Sequence, residues 1–245
     1  MSRSAGFFVA IEAERWYVAR VTGEEPEVCE LPFDRREGLA AAAAKVASVL
    51  GEWGYRGQGI RMGLSSDMIF NALVDSDGLP RKQRHRAMIY RLEEQLPLDA
   101  ERLTVDFLAV NGSRMLGAAV ETDRVKAVID ALSAAGVEVA GVCATALLAL
   151  WRVRPDGGYG DDYGVVASAS HADAFRLNGD RPVAWYSAPR ESPAELVNAV
   201  KADQLLSPDE SGRPTACVVG ELAPEAAGEL QEQVGLELRP ASPEA

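Results

Sequence analysis

Two stretches of the chain share one pattern of apolar and turn residues, and this internal repeat limits the folds available to it. Residues 7–11 and 16–26 predict a strand, a turn, a second strand and a second turn. Residues 163–167 and 173–182 repeat this order around a Ser/Ala/His turn. Tight turns between such strands favour glycine, which supplies the positive φ they need. The repeat therefore predicts two copies of one β-rich unit.

The register of the repeat extends beyond the hairpins. Placing Arg20 opposite Arg176 aligns further turn residues: Gly23 with Gly179, Glu24 with Asp180, and Pro26 with Pro182. Each half then predicts a third strand, a helix and a fourth strand. These lie at residues 27–32, 35–53 and 60–64 in the first half, and at 183–189, 192–206 and 215–219 in the second. The matching order predicts a duplicated βββαβ unit in an α/β protein.

The segment between the two halves has no counterpart in the repeat. Its pattern predicts a helix at 80–96, a hairpin of strands at 104–110 and 114–120, a helix at 122–135, a strand at 138–142 and a helix at 144–151. Residues 155–162 are rich in Gly and Asp, which indicates a linker. We therefore expect a first lobe at 1–154 with an inserted α+β subdomain at about 79–142, a linker at 155–162, and a second lobe at 163–245.

Charge and cysteine content argue against several classes of protein. A formal net charge of −12 disfavours nucleic-acid binding, which depends on neutralising phosphates with Lys and Arg. Cys29, Cys143 and Cys217 are far apart and odd in number, so neither a disulfide framework nor a metal site is predicted, and the cytosol is the expected compartment. No stretch approaches the 18 apolar residues of a membrane-spanning helix.

Two further residue groups are better explained as turns than as chemistry. Ser168, Ser170, His171 and Asp173 contain the residue types of a catalytic triad, but triad members usually come from separate segments. A hairpin turn is the better prediction for them. Residues 54–59 are Gly-rich but lack the order of a phosphate loop, so they predict a helix-to-strand connection.

Two duplicated βββαβ halves with an insertion in the first describe the actin-like fold, whose lobes are RNase H-like. Within that class, residues 88–97 (Met-Ile-Tyr-Arg-Leu-Glu-Glu-Gln-Leu-Pro), followed by Val-Asp-Phe at 105–107, resemble a motif of the family of PilM and the GspL cytoplasmic domain. Residues 116–120 and 134–142 are similar to a second motif of that family. Its members belong to inner-membrane platforms of type IV pilus and type II secretion machines.

This resemblance implies where a catalytic relative would hold nucleotide. In actin-like ATPases each opening hairpin turn cradles phosphate and begins with an Asp, and a Gly pair after the last core strand holds adenosine. Here Ala10 takes the acidic position of the first turn and Glu12 a Gly position, and the second turn has Ser168 and no initial acid. The third element keeps Gly220 but has Glu221 for the second Gly. Like charges ~4 Å apart cost about 4 kcal/mol at an effective dielectric near 20, so we expect no bound cofactor and no catalytic residues.

The resemblance then implies a non-catalytic scaffold, a pseudo-ATPase, at the cytoplasmic face of the inner membrane. Its expected partners are a membrane-anchored platform protein like PilN or GspM and an assembly ATPase like GspE; a homodimer is left open. One alternative is a nucleotide-binding ATPase like PilM with altered contacts. Another is a small-molecule kinase of the same superfold, which the missing turn aspartates disfavour.

One cluster of basic residues stands out in this acidic chain. It comprises Arg81, Lys82, Arg84, Arg86 and Arg91, with His85 among them. Two interpretations remain open: a solvated helix face, or a binding surface for an acidic or helix-C-terminal part of a partner or for lipid headgroups. Met88 and Leu92, four residues apart, are predicted to face the core rather than a partner.

Overall fold

The computed structural model describes residues 6–22, 26–153, 160–179, 181–206 and 213–241. The predicted linker at 155–162 and the aligned positions Gly23, Glu24 and Asp180 lie wholly or largely outside these residues. The chain divides into two compact units, the first formed by Met1–Ile69 with Val120–Thr145 and the second by Phe70–Ala119 with Ala146–Ala245.

The strands and helices follow in chain order. The strands are β1 (Gly6–Ile11), β2 (Arg15–Val21), β3 (Glu27–Pro32), β4 (Ile60–Leu64), β5 (Ile69–Asp75), β6 (Leu103–Asn111), β7 (Arg114–Glu121), β8 (Val139–Ala144), β9 (Tyr163–Ala167), β10 (His171–Asn178), β11 (Arg181–Pro189), β12 (Thr215–Val219) and β13 (Glu237–Pro240). The helices are α1 (Gly38–Glu52), α2 (Arg84–Glu93), α3 (Thr122–Ala134), α4 (Thr145–Arg152), α5 (Pro193–Leu206) and α6 (Pro224–Gln233).

The first unit is built on a five-stranded sheet in the order β3-β2-β1-β4-β8. Strands β1 to β3 are antiparallel neighbours, and β4 is parallel to both β1 and β8. Alternate residues of β1 are buried, as expected for a strand with one face on a core. In α1 the residues Ala43, Val46 and Leu50 recur at helical spacing and are fully buried, so this helix covers the same core.

The second five-stranded sheet repeats the first. Its order is β11-β10-β9-β12-β13, with β9 to β11 antiparallel and β12 parallel to its neighbours β9 and β13. Helices α5 and α6 supply Leu196, Val200 and Leu230 to its core. Strands β9 to β13 thus correspond in order to β1, β2, β3, β4 and β8. The predicted duplication is confirmed, and with it the predicted fold class.

The two opening hairpins close in the same register. Ile11 pairs with Trp16 in the first, and Ala167 pairs with Ala172 in the second. The Glu12 N–H donates to the Arg15 carbonyl at 3.1 Å, and the Ser168 N–H donates to the His171 carbonyl at 2.8 Å. This is the register given by aligning Arg20 with Arg176, so the two turns are equivalent positions of the repeat.

The inserted segment forms a three-stranded sheet in the order β5-β7-β6. Met88 and Leu92 of α2 are buried in its core, as predicted. The sequence pattern did not predict β5, α6 or β13. The boundary of about 79–142 for the inserted subdomain stays a prediction; in the structure β8 adjoins β4 in the first five-stranded sheet. Among the helices that the structure describes, none has the length and apolar character to cross a membrane.

Candidate functional site

The first hairpin turn carries a carboxylate at the position implied for a phosphate-contacting glycine. Ala10 lies inside β1, where it pairs with Tyr17 and Gly63, and it offers no group for a metal or a phosphate. Glu12 begins the turn and is only 8% exposed. Burial raises the pKa of the Glu12 carboxyl above its ordinary value, and nearby Arg15 offsets part of this effect. The turn therefore holds a desolvated acid.

The second turn uses its own side chain to satisfy its backbone. The Ser168 Oγ accepts the His171 N–H at 3.0 Å and lies 3.4 Å from the Ser170 nitrogen. Because these N–H groups already have an acceptor inside the turn, they are not available to a phosphate. Asp173 lies on β10 and accepts the Trp185 indole N–H at 2.8 Å. This arrangement agrees with the predicted hairpin turn rather than a triad.

The third element packs tightly against the second turn. Gly220 has a φ of +84°, and a Cβ there would lie 2.4 Å from the Ala167 carbonyl oxygen. Glu221 is exposed and lines a cavity of about 10 Å³ beside Arg190, room for about one water molecule. The Arg190 guanidinium donates to the Ser168 carbonyl at 3.0 Å. Gly220 is thus explained by packing alone, without a nucleotide.

A groove of about 600 Å³ opens in the first unit next to the first turn. It is bounded by the turn itself, by the start of α1 and by the first half of α3. Apolar side chains form most of its wall: Ile11, Trp16, Phe33, Leu39, Met68 and Val128. Three charged side chains also line it: Glu12, Arg35 and Arg124. Apolar walls with a few polar groups are typical of ligand and peptide sites.

One of the wall residues has an unused hydrogen-bond donor. Trp16 is 1% exposed and stacks on Phe33 with ring centroids 5.4 Å apart, yet its indole N–H has no partner among the described residues. The buried indole of Trp185, in contrast, has Asp173 as its acceptor. Leaving a buried donor unsatisfied costs about 1–3 kcal/mol. The structure therefore leaves one buried donor without an acceptor beside the groove, among the residues that it describes.

The charged groups of the groove differ in how they are satisfied. The Arg124 guanidinium lies 3.5 Å from the Asp67 carboxylate. No hydrogen bond or ion pair engages the Glu12 carboxylate or the Arg35 guanidinium within the part of the chain that the structure describes. The groove is thus lined by one carboxylate and one guanidinium that have no partner among the described residues.

We expect Glu12→Gln to change how stability depends on pH. A carboxyl whose pKa is raised by folding binds its proton more tightly in the native state, so the free energy of unfolding falls as pH rises from the ordinary Glu value of 4.5 through the raised native pKa. The variant should lack this contribution: compared with wild type, it should be relatively more stable at neutral pH than at pH 4. Urea unfolding across that range measures it. An unchanged difference between the two proteins at all pH values would contradict the buried-acid interpretation.

The predicted basic cluster, here called the basic surface, comprises Arg81, Lys82, Arg84 and Arg86, which are exposed, and Arg91, which is half-buried. Arg91 donates to the Asp75 carbonyl, and Arg86 lies over the Tyr90 ring, 6.0 Å from its centroid. Arg81, Lys82 and Arg84 are exposed and have no ion-pair partner among the residues that the structure describes. Three of the five cations are therefore free to meet an external anion.

These features together define a protein with an actin-like ATPase fold. Similar solved structures include a PilM–PilN type IV pilus biogenesis complex, with 18% identity, a TM-score of 0.73, and coverage of 97% of this chain and 88% of that one. The cytoplasmic domain of EpsL, an inner-membrane component of the Vibrio cholerae type II secretion system, has 15% identity, a TM-score of 0.67 and coverage of 99% and 90%. No protein-family model matches the sequence, and no curated protein does.

A third similar structure is a Bacteroides thetaiotaomicron protein with an actin-like ATPase fold and unknown function, with 8% identity, a TM-score of 0.64, and coverage of 97% of this chain and 91% of that one. At these identities the comparisons define the fold. The predicted resemblance to PilM and GspL is confirmed at that level.

The groove was not predicted from the sequence. Trp16 and Leu39 follow ordinary burial patterns, and nothing in the pattern distinguishes an indole with an acceptor from one without. Arg35 is the first residue of the helix predicted at 35–53, and its charge predicts a surface position. In the structure it precedes α1. The single available signal was Glu12, an acid at a position where the resemblance implies glycine.

Proposed function

We propose that this chain is a non-catalytic, actin-like scaffold of a type II secretion or type IV pilus assembly platform. It would link a cytoplasmic assembly ATPase to inner-membrane components, at the inner face of that membrane. The similarity in fold to the EpsL domain and to PilM supports the class of machine. The step from the fold to a scaffold role depends on two points: whether the hairpin turns bind nucleotide, and whether the groove binds a partner segment.

The observation that carries the non-catalytic role is the state of the two hairpin turns. The first turn contains the buried Glu12 carboxylate. In the second turn, the His171 N–H donates to the Ser168 Oγ. Electrostatic repulsion and the loss of donors both oppose phosphate binding.

Isothermal titration with ATP and Mg²⁺ tests this role. The concentration of folded protein should be high enough to detect a Kd of about 100 μM. We expect no saturable heat. Saturable one-to-one binding would contradict the proposal and favour the alternative, a nucleotide-binding ATPase like PilM.

The observation that carries the partner-binding role is the apolar groove beside the buried indole N–H of Trp16, which is unpaired among the described residues. We propose that the groove receives a cytoplasmic segment of a membrane-anchored platform protein like PilN or GspM, with a backbone carbonyl accepting from the Trp16 indole. The PilM–PilN complex, in which a protein of this fold is found with a second protein, supports such an occupant. The apolar wall suits an extended segment with alternating apolar side chains.

The indole N–H resonances of the protein report on this contact directly. In a ¹H–¹⁵N spectrum, with peaks assigned from single Trp→Phe variants, the cytoplasmic segment of the platform protein from the same organism should move the Trp16 indole peak downfield. The Trp185 peak should stay in place, because its N–H already has Asp173 as acceptor. Binding of the segment without any change at Trp16 would show that the groove is not its site.

A substitution in the groove wall should block binding. Because the side chain that it replaces also packs against the core of the first unit, thermal unfolding should show that the variant is folded. Leu39, half-buried at the start of α1, lines the groove. Leu39→Arg should weaken binding of the segment at least about tenfold, because it places a charge against an apolar ligand surface. A matched control is Ala44→Arg, at an exposed position of the same helix, which should leave the affinity unchanged.

A further inference from the structure

Three neighbouring cations of the basic surface have no carboxylate partner in the part of the chain that the structure describes. Elsewhere in the described residues some cations pair with acids, including Arg15 with Glu30, Arg20 with Glu27, Lys45 with Glu37, Arg124 with Asp67, Arg176 with Asp203 and Arg239 with Glu237, and others, such as Arg35, do not. Arg81, Lys82 and Arg84 have none there, in a chain with 37 acidic and 25 basic residues. Their own repulsion is therefore not offset by the fold.

The position of these cations also works against the stability of α2. They lie just before the helix or in its first turn, which contains no acidic residue, and no side chain caps its start. Positive side chains are unfavourable at this end of a helix, because the macrodipole there is already positive. A role in stabilising the fold thus does not explain the cluster, whereas binding of an external anion would.

An amphipathic aromatic residue lies next to Arg86 of the basic surface. Tyr90 is 42% exposed, and the Arg86 guanidinium lies over its ring with one nitrogen 3.5 Å from its hydroxyl. Tyrosine is enriched where apolar and aqueous phases meet, because its ring is apolar and its hydroxyl is polar. This combination of arginines and an exposed tyrosine suits a headgroup layer better than an acidic protein surface.

We propose that the basic surface binds the anionic phospholipid headgroups of a membrane. The overall charge of −12 repels the rest of the protein from such a membrane, so this face alone would approach it, and the surface would fix the orientation of the chain. The inference rests on the proposed function only for the presence of a nearby membrane. It requires neither nucleotide nor partner.

Vesicle flotation tests the proposal with the protein alone. We expect wild type to float with phosphatidylcholine vesicles that contain phosphatidylglycerol, and not with phosphatidylcholine alone. Binding should weaken as salt rises toward ~0.15 M, where the Debye length is about 8 Å. The variant Arg81→Gln/Lys82→Gln/Arg84→Gln should lose about fivefold in affinity per charge, on the order of 100-fold in total.

A matched variant separates the basic surface from net charge. Arg36→Gln/Arg61→Gln/Lys126→Gln removes the same three charges at exposed positions of the first unit. It should change vesicle affinity less than about threefold, since repulsion from distant charges is screened. Thermal unfolding should show both variants folded, because every substituted side chain is exposed.

Two results would overturn the proposal. One is equal loss of vesicle binding in the two triple variants, which would indicate a non-specific charge effect. The other is no binding of wild type to anionic vesicles at low salt. If wild type then bound polyglutamate and the Arg81/Lys82/Arg84 variant did not, the basic surface would be a site for an acidic protein instead. Vesicle binding is read separately from the ATP titration, so failure of either leaves the other result intact.

Discussion

Asp203→Ala is expected to lower the free energy of unfolding by about 3–5 kcal/mol, because it removes the centre of a buried polar cluster. Asp203 is 5% exposed on α5 and accepts hydrogen bonds from the hydroxyls of Tyr163 and Tyr186, each at 2.7 Å. The Arg176 guanidinium lies 3.3 Å from the same carboxylate. Three strands of the second sheet thus meet one side chain of the helix that covers them.

The cost arises from the groups left behind. Without Asp203, the cation of Arg176 loses its carboxylate and two tyrosine hydroxyls lose their acceptor, all of them largely enclosed. Burial, with the bonds to Asp203, raises the pKa of both tyrosines above the ordinary value of 10.0. The native state therefore holds these two protons more tightly than the unfolded chain does. The contribution of the two tyrosines to the free energy of unfolding should decline only as pH rises above about 10.

Urea unfolding of the variant and of a milder control measures the effect. Tyr186→Phe removes one hydroxyl and leaves the Arg176–Asp203 pair, so it should cost about 1 kcal/mol. A loss for Asp203→Ala no greater than that for Tyr186→Phe would contradict the central position of the carboxylate.

Gly220→Ala is expected to cost about 2–5 kcal/mol of folding stability. The φ of +84° is unfavourable for an L-residue by about 1–2 kcal/mol. In addition, the new Cβ would lie 2.4 Å from the Ala167 carbonyl oxygen, so backbone must shift, and such overpacking costs about 1–3 kcal/mol. Chemical denaturation of the purified variant measures the sum.

A second glycine substitution serves as a control, because it should have the opposite effect on folding stability. Gly228 lies within α6, and a Cβ there would meet no atom within 4 Å. Gly228→Ala should therefore stabilise the protein by about 0.5–1 kcal/mol. If Gly220→Ala, like Gly228→Ala, did not lower the stability, packing would not account for the glycine. Its resemblance to an adenosine-binding element would then be the better explanation.

The sequence predicted several strands of the two repeats more accurately than the helix and strand that end the second repeat. Strands at 27–32, 60–64 and 215–219 have the predicted limits, because turn-forming residues flank each of them. In contrast, β13 is short and exposed on most of its residues, and α6 is largely polar, so neither carries a periodic signal. The hydrogen bonds that hold β13 to β12 are long-range, and no local pattern encodes them.

The candidate site was also predictable from the sequence only in part. The sequence itself shows that Ala10, Glu12 and Ser168 stand where the family resemblance implies other residues. The groove depends on which atoms lack partners after packing, and Trp16 and Trp185 are equally buried aromatic residues that differ only in whether an acceptor faces the indole. Such a difference arises from three-dimensional contacts and has no counterpart in hydrophobic periodicity.

The insertion between β4 and α3 has a consequence for the folding kinetics. In the first sheet Ile60 pairs with Val139, across the whole inserted segment, whereas in the second sheet Thr215 pairs with Glu237 nearby in sequence. Closing the longer loop costs more chain entropy, and contacts distant in sequence slow folding. We therefore expect the β12–β13 pair to form earlier in refolding than the β4–β8 pair, although β13 is synthesised after β8.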